Sequence, residues 1–166
     1  MESQFNVLMI DDDVEDIFLT QKYLRRGNRP FSFDYLTAGR HVDLYLEHEI
    51  PYNDRSEFPT PQLILLDWNM PEFSGEDTLK LIRSTQVGAL IPVIIISGQH
   101  DHQTVVEAHR ARASAFIEKP KSMSASIQVF QAVMSFWSSI AASPTRANIH
   151  SPSEDEPAQA KRSTHL

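Results

Sequence analysis

Asp11-Asp12, Asp67 and Ser97 stand where short apolar runs end, at Val7–Ile10, Leu63–Leu66 and Val93–Ile96, and Lys119 follows a further expected strand, Ala115–Glu118. Runs of this length without alternation predict strands buried on both faces. The carboxyl ends of strands in an open parallel sheet share one rim, where ligands bind. Three acids, a hydroxyl and an ammonium are therefore expected in one pocket. Carboxylates packed so closely repel one another unless one is protonated or a cation neutralises them. A hydroxyl and an ammonium supply hydrogen-bond donors for anionic oxygens. The simplest chemistry that uses all five residues is a divalent-metal site that handles phosphate.

The elements that must position these groups alternate along the chain. Phe31–Leu36 reads as a further strand. Val14–Arg26 carries Val14, Ile17, Phe18 and Leu24 at helical spacing, with Asp13 as N-cap and Gly27 just past the end. Helices are also expected over Arg40–His48, Gly75–Thr85, His102–Ala111 and Ser122–Ala142. Five strands alternating with five helices predict an α/β, doubly wound, three-layer fold. Residues 50–61 hold Pro51, Pro59 and Pro61 and form a long connection, a candidate partner surface. The segment 143–166, rich in Ser, Pro and mixed charge, is expected to be a mobile tail after a single domain at 1–142.

Composition narrows the function. The 166 residues are 41% apolar and 22% charged, ordinary for one globular domain. A net charge of −7 spread over the chain argues against a nucleic-acid or anionic-lipid partner, each of which calls for clustered Lys and Arg. With no Cys, disulfides and thiolate chemistry are excluded. The longest apolar runs are strand-length and no basic-apolar leader precedes Phe5, so a cytoplasmic protein away from membranes is expected.

Ile10-Asp11-Asp12, the run Leu66-Asp67-Trp68-Asn69-Met70-Pro71 followed by Gly75, then Ser97, Phe116 and Lys119-Pro120 resemble the receiver domain of two-component response regulators. Asp67, Ser97, Phe116 and Lys119 are separated by 30, 19 and 3 residues, as that family spaces them. The resemblance runs from about Asn6 to Ala142, with one length departure at the proline-containing connection. It implies a flavodoxin-like (βα)5 fold with strand order 2-1-3-4-5. It further implies that Asp67 accepts a phosphoryl group from a sensor histidine kinase or a histidine phosphotransfer protein.

Several residue roles follow from the resemblance. Mg²⁺ would be held by Asp12, Asp67 and the backbone carbonyl of Asn69, with Asp11 in support. Ser97 and Lys119 would contact phosphoryl oxygens, and Pro120 would permit a cis peptide that aims the lysine. Ser97 and Phe116 would form the switch, with Phe in place of the family's frequent Tyr. Asn69 and Gln99 flank the expected water path and would bear on phosphoryl lifetime. Such a protein is a phosphoacceptor that promotes its own phosphorylation and dephosphorylation rather than an enzyme acting on a separate substrate. The long connection and Phe136-Trp137 resemble stand-alone regulators that partner bacterial phytochromes. No output domain is expected in the 24 residues after Ala142, so signalling would pass through protein contacts.

The last helix is apolar over about half its circumference: Ile127, Phe130, Met134 and Trp137 form one stripe, and Val129, Val133, Phe136 and Ile140 another. The second stripe predicts a homodimer or kinase-docking surface, together with the fourth helix and fifth strand. Three rival chemistries remain. Asp11 and Asp13 also read as the nucleophile and general acid of a haloacid-dehalogenase-like phosphatase, which leaves Asp67 idle. His100, Asp101 and His102 suggest a transition metal but lack further ligands at suitable spacing. A flavodoxin-like electron carrier needs a phosphate loop rich in Ser, Thr and Gly after the first strand, and none is present.

Overall fold

The computed structural model of the chain describes residues 4–27, 30–99 and 101–140. Five parallel strands form one sheet: β1 (Phe5–Ile10), β2 (Phe31–Leu36), β3 (Leu63–Asp67), β4 (Val93–Ser97) and β5 (Ala115–Glu118). Their spatial order is β2-β1-β3-β4-β5, as expected. Five helices alternate with them: α1 (Val14–Leu24), α2 (Val42–Leu46), α3 (Gly75–Ser84), α4 (His102–Arg110) and α5 (Met123–Ser135). None of the described helices is long and apolar enough to cross a membrane.

The central strands β3 and β4 are buried throughout, which is why their sequences are apolar without alternation. Alternate side chains of each strand enter opposite cores. Leu8, Ile10, Ile64, Leu66 and Ile95 pack with residues of α2, α3 and α4. On the other face Val7, Met9, Leu63, Leu65, Ile94 and Ile96 meet Ile17 and Leu24 of α1 and Phe130, Val133 and Met134 of α5. A fully buried aliphatic side chain contributes roughly 1.5–3 kcal/mol, so the strands' register is strongly specified. Val7 pairs with Leu63 and Ile64 with Val93. That register brings Asp11 and Asp67 to the same rim.

Capping fixes where the helices begin. The Asp13 carboxylate accepts the backbone N–H groups of Glu15 and Asp16, Ser74 caps α3 and Ser122 caps α5. Gly75 allows α3 to start directly against the end of β3, because a Cβ there would lie 2.5 Å from the Asp67 carbonyl and the Trp68 Cα.

Several expectations need correction. Val14 and Phe18 are exposed, at 60% and 64%, although both fit a helical apolar stripe. The inward face of α1 is Ile17, Thr20 and Leu24, and buried Thr20 marks a rotation that apolarity alone does not signal. The region 40–48 is a 3-10 turn (Gly39–His41) followed by the short α2, rather than one long helix. The last helix changes at Phe136 into a π-helical turn, Phe136–Ile140. That wider turn carries Trp137 onto the core and leaves Phe136 exposed. Val133, expected on an outer stripe, is buried in the core between α5 and the sheet. The side chain of Ile140 and the expected tail at 143–166 lie outside the described residues.

The long connection folds onto the domain. Tyr52 and Phe58 pack around Tyr45, one tilted and one edge-on, with ring centroids 5.2 and 6.1 Å from it. The buried Tyr45 hydroxyl donates to the Asp34 carboxylate at 2.7 Å. The aromatic contacts give these extra residues a packed position beside α2.

Candidate functional site

The strand order reverses between β1 and β3, and at this point the carboxyl ends of the strands leave a crevice. Asp11, Asp12 and Asp67 meet there, each offering a carboxylate oxygen within 4.8 Å of the others. Among the described residues no other group of His and acidic side chains converges in this way. Asp11 and Asp67 are buried and Asp12 is exposed. The Asp13 N–H donates to Asp11 Oδ1 at 2.9 Å, fixing that carboxylate's orientation.

Lys119 is delivered from the adjacent strand end. Its backbone N–H donates to the Ser97 carbonyl at 2.7 Å, extending the β4–β5 ladder by one residue. Its ammonium lies 3.1 Å from Asp67 Oδ1 and 3.3 Å from Asp11 Oδ2. This aim is reached with a trans peptide before Pro120, contrary to expectation; the cis bond among the described residues is Ile50–Pro51. The β4 register and the length of the lysine side chain suffice. Ser97 is fully buried and its hydroxyl accepts from Asn69 Nδ2 at 2.9 Å and from the Gln99 N–H at 3.1 Å. Both residues expected to flank the water path thus hold the serine. Phe116 is half-buried against the core on the α2–α4 side.

Charge makes the site receptive to a cation. Burial pushes the Asp11 carboxyl up to about 6 from its ordinary 3.8, although the Asp13 N–H and Lys119 oppose that rise and Asp67 adds to it. Burial likewise raises Asp67, partly offset by Lys119. For Lys119, burial disfavours the ammonium, but Asp16, Asp67 and Asp11 outweigh it and hold the charge well above the usual lysine range. One ammonium leaves the carboxylates with excess negative charge, which a divalent ion bound by oxygen ligands would neutralise. These acids therefore fit a metal. A groove of about 360 Å³, lined by Asp12, Gly39, Arg40, Met70 and Glu72 among others, opens beside Asp12. An Arg40–Glu72 ion pair joins the loops on its two sides.

Asp16 was not anticipated as part of this site. It lies in the first turn of α1 and approaches the Lys119 ammonium to 2.7 Å. The sequence signal is weak: an acid three residues after an N-cap usually signifies no more than a favourable helix start.

The phosphatase arrangement does not assemble among the described residues. Asp13 is spent on capping α1 and is absent from the convergent acids, so it is not placed as the general acid of a phosphatase. Asp101 caps α4, accepting from the Thr104 N–H at 3.0 Å and hydroxyl at 2.7 Å. His100 lies outside the described residues.

The family model for the response regulator receiver domain matches residues 7–131. The response regulator Rcp1 of a Synechocystis strain is 24% identical over 131 residues, covering 79% of this chain and 87% of that protein. Among solved structures, the phosphorylated cyanobacterial phytochrome response regulator RcpA is 26% identical with a TM-score of 0.78, covering 86% of this chain and 99% of that one. The Mn²⁺-bound form of response regulator Rcp1 is 24% identical with a TM-score of 0.73, covering 84% and 99%.

Proposed function

The chain belongs to the response regulator receiver domain family, and from that premise we propose that Asp67 is its phosphoacceptor and a sensor histidine kinase its phosphodonor. The observation that carries the assignment is the meeting of Asp67 with Asp11, Asp12 and Lys119 at one rim. In the transfer a carboxylate oxygen of Asp67 attacks phosphorus, the P–N bond of the donor's phosphohistidine breaks, and the imidazole leaves with its electron pair and takes up a proton. An acyl phosphate on Asp67 results. Asp11, Asp12, Asp67 and the Asn69 carbonyl would hold a divalent ion, Mg²⁺ in our proposal. Such an ion neutralises charge on the carboxylates and the transferred group.

Lys119 supplies a further positive charge, half-buried and 3.1 Å from Asp67 Oδ1. Ser97 donates its hydroxyl hydrogen to a phosphoryl oxygen after leaving Asn69, and Phe116 moves into the space behind it. These two conformers exist before phosphorylation, which shifts their populations. The molecule acts as a phosphoacceptor that turns over its own acyl phosphate, without a separate substrate.

The likeness to RcpA, 26% identical and described as a phytochrome response regulator, supports a phytochrome-type kinase as the partner, working in the cytoplasm. Val14 and Phe18, exposed on α1 beside the site, offer apolar contact to such a protein. The test is to mix the chain with autophosphorylated sensor kinases of this type and follow the phosphoryl group. We expect transfer within seconds to minutes to be lost when the divalent ion is chelated; absence of transfer from any of them, with a positive control for each donor, contradicts the partner assignment.

A homodimer is a further part of the proposal, in a reduced form. Exposed Phe136 and half-buried Val129 remain available on α5 and its final turn, whereas Val133 does not. Sedimentation velocity on the full chain should give a dimer whose fraction falls on Phe136→Ser. A monomer at all concentrations, with and without a phosphoryl mimic, would exclude it.

A further inference from the structure

Resting on the phosphoacceptor reading, we propose that Asp16 is a parking carboxylate: it holds Lys119 in the unphosphorylated protein, and the phosphoryl group must take the ammonium from it. Lys119 has three N–H donors and three carboxylate partners. Its shortest contact, 2.7 Å, is with Asp16 rather than with Asp67 at 3.1 Å or Asp11 at 3.3 Å. The ammonium donates hydrogen bonds to Asp16 and Asp11 and is paired by charge with Asp67. A phosphoryl group on Asp67 must draw it away from the hold of Asp16.

Asp16 is the partner whose hold persists. Asp11 and Asp67 belong to the set that would share a divalent ion, and that ion's charge weakens their pull on the ammonium. Asp16 is not in that set and retains its full attraction. It sits in the first turn of α1, where the helix dipole favours negative charge.

Formal charges give the direction of the effect. Asp11, Asp12 and Asp67 carry −3, which a divalent ion and Lys119 cancel. Phosphorylation replaces one negative charge at Asp67 by about two, leaving the site short of positive charge. Asp16 deepens that shortage and keeps the lysine engaged elsewhere. Removing its charge should therefore favour the phosphorylated form. Because the Asp16 side chain is 38% exposed, water screens the interaction, and the expected effect is roughly twofold to fivefold.

The test compares the wild-type chain with Asp16→Asn at matched protein, Mg²⁺ and subsaturating acetyl phosphate. The steady-state phosphorylated fraction should rise by that factor in Asp16→Asn. Glu15→Gln removes the same charge from the same helical turn and should change little, because Glu15 is exposed and the ion pairs of Lys119 among the described residues are with Asp11, Asp16 and Asp67. An unchanged or lower fraction in Asp16→Asn overturns the proposal, and so does an equal rise in Glu15→Gln, which would indicate a general charge effect. A second readout needs no phosphorylation: nitrogen-15 NMR of the metal-free protein should show one slowly exchanging lysine ammonium that Asp16→Asn abolishes. Its persistence in that variant also overturns the proposal. Failure of the wild-type chain to take up phosphate would instead refute the phosphoacceptor reading, leaving the lysine contact to be judged by NMR alone.

Discussion

Asp67→Asn should lose phosphorylation by acetyl phosphate in the presence of Mg²⁺, with a fall of at least about 10³-fold. The substitution keeps the size of the side chain and an oxygen facing Lys119, so the fold and the rim should survive. What disappears is the nucleophile: an amide oxygen is a far weaker attacking group than a carboxylate, and no neighbour is placed to substitute. Asp11 is committed to the Asp13 N–H and to Lys119. Asp12 is exposed at the outer side of the cluster. Labelling is followed by phosphate-affinity electrophoresis, with circular dichroism to confirm folding. Undiminished labelling of a folded Asp67→Asn protein would mean that another residue accepts the phosphoryl group.

The second large effect runs against ordinary expectation for a buried, hydrogen-bonded acid: Asp11→Asn should stabilise the metal-free protein. Burial raises the Asp11 carboxyl from 3.8 to about 6. Between those values the folded chain holds a proton that the unfolded chain has lost. The contribution of this group to stability therefore falls as pH rises through that window and is lost at neutral pH. At 1.36 kcal/mol per unit the rise corresponds to about 3 kcal/mol. An asparagine keeps the acceptor for the Asp13 N–H but gives up the contact with Lys119, so the net gain should be about 1–3 kcal/mol, or roughly 3–10 °C in thermal midpoint.

A divalent ion reverses the balance, because it binds the ionised carboxylates and stabilises only the folded state. In excess Mg²⁺ the wild-type midpoint should climb and the advantage of Asp11→Asn should shrink or invert. Calorimetry at pH 7.5, with chelator and then with Mg²⁺, reads both effects. An Asp11→Asn protein less stable than wild type in chelator would contradict the electrostatic account of the empty cluster.

The parts of the site that were legible in advance lie at strand ends. Asp11-Asp12 and Asp67 follow apolar runs and Lys119 follows a further expected strand, and such strands in an alternating α/β pattern admit few arrangements. The strand order and the common rim were expected, and both are present. Helix faces were harder to read. Val14 and Phe18 fit the spacing of a buried stripe, yet Thr20 occupies the inward position and its hydroxyl carries no apolar signal.

Val133 was misplaced for a related reason. The apolar arc of α5 is wide enough to fit two orientations, and contact with Ile17, Leu24 and the sheet decides between them. The π-helical turn that exposes Phe136 departs from the 3.6-residue period on which the stripe depended. Asp16 escaped notice because its partner is 103 residues away in sequence. A first-turn acid looks the same whether it merely starts a helix or holds a distant ammonium. The long connection was recognised, but its packing on Tyr45 depends on a cluster of aromatic rings assembled from three separated positions.

The most direct test maps the phosphoryl group chemically. After acetyl phosphate treatment in Mg²⁺, borohydride reduces an aspartyl phosphate to the alcohol homoserine, which mass spectrometry locates in the peptide spanning residues 63–80. Homoserine at position 67, absent when Mg²⁺ is chelated, is the predicted result. Reduction at Asp11, Asp12 or Asp13 with Asp67 untouched, or no reduced residue in protein that has taken up phosphate, would contradict the account.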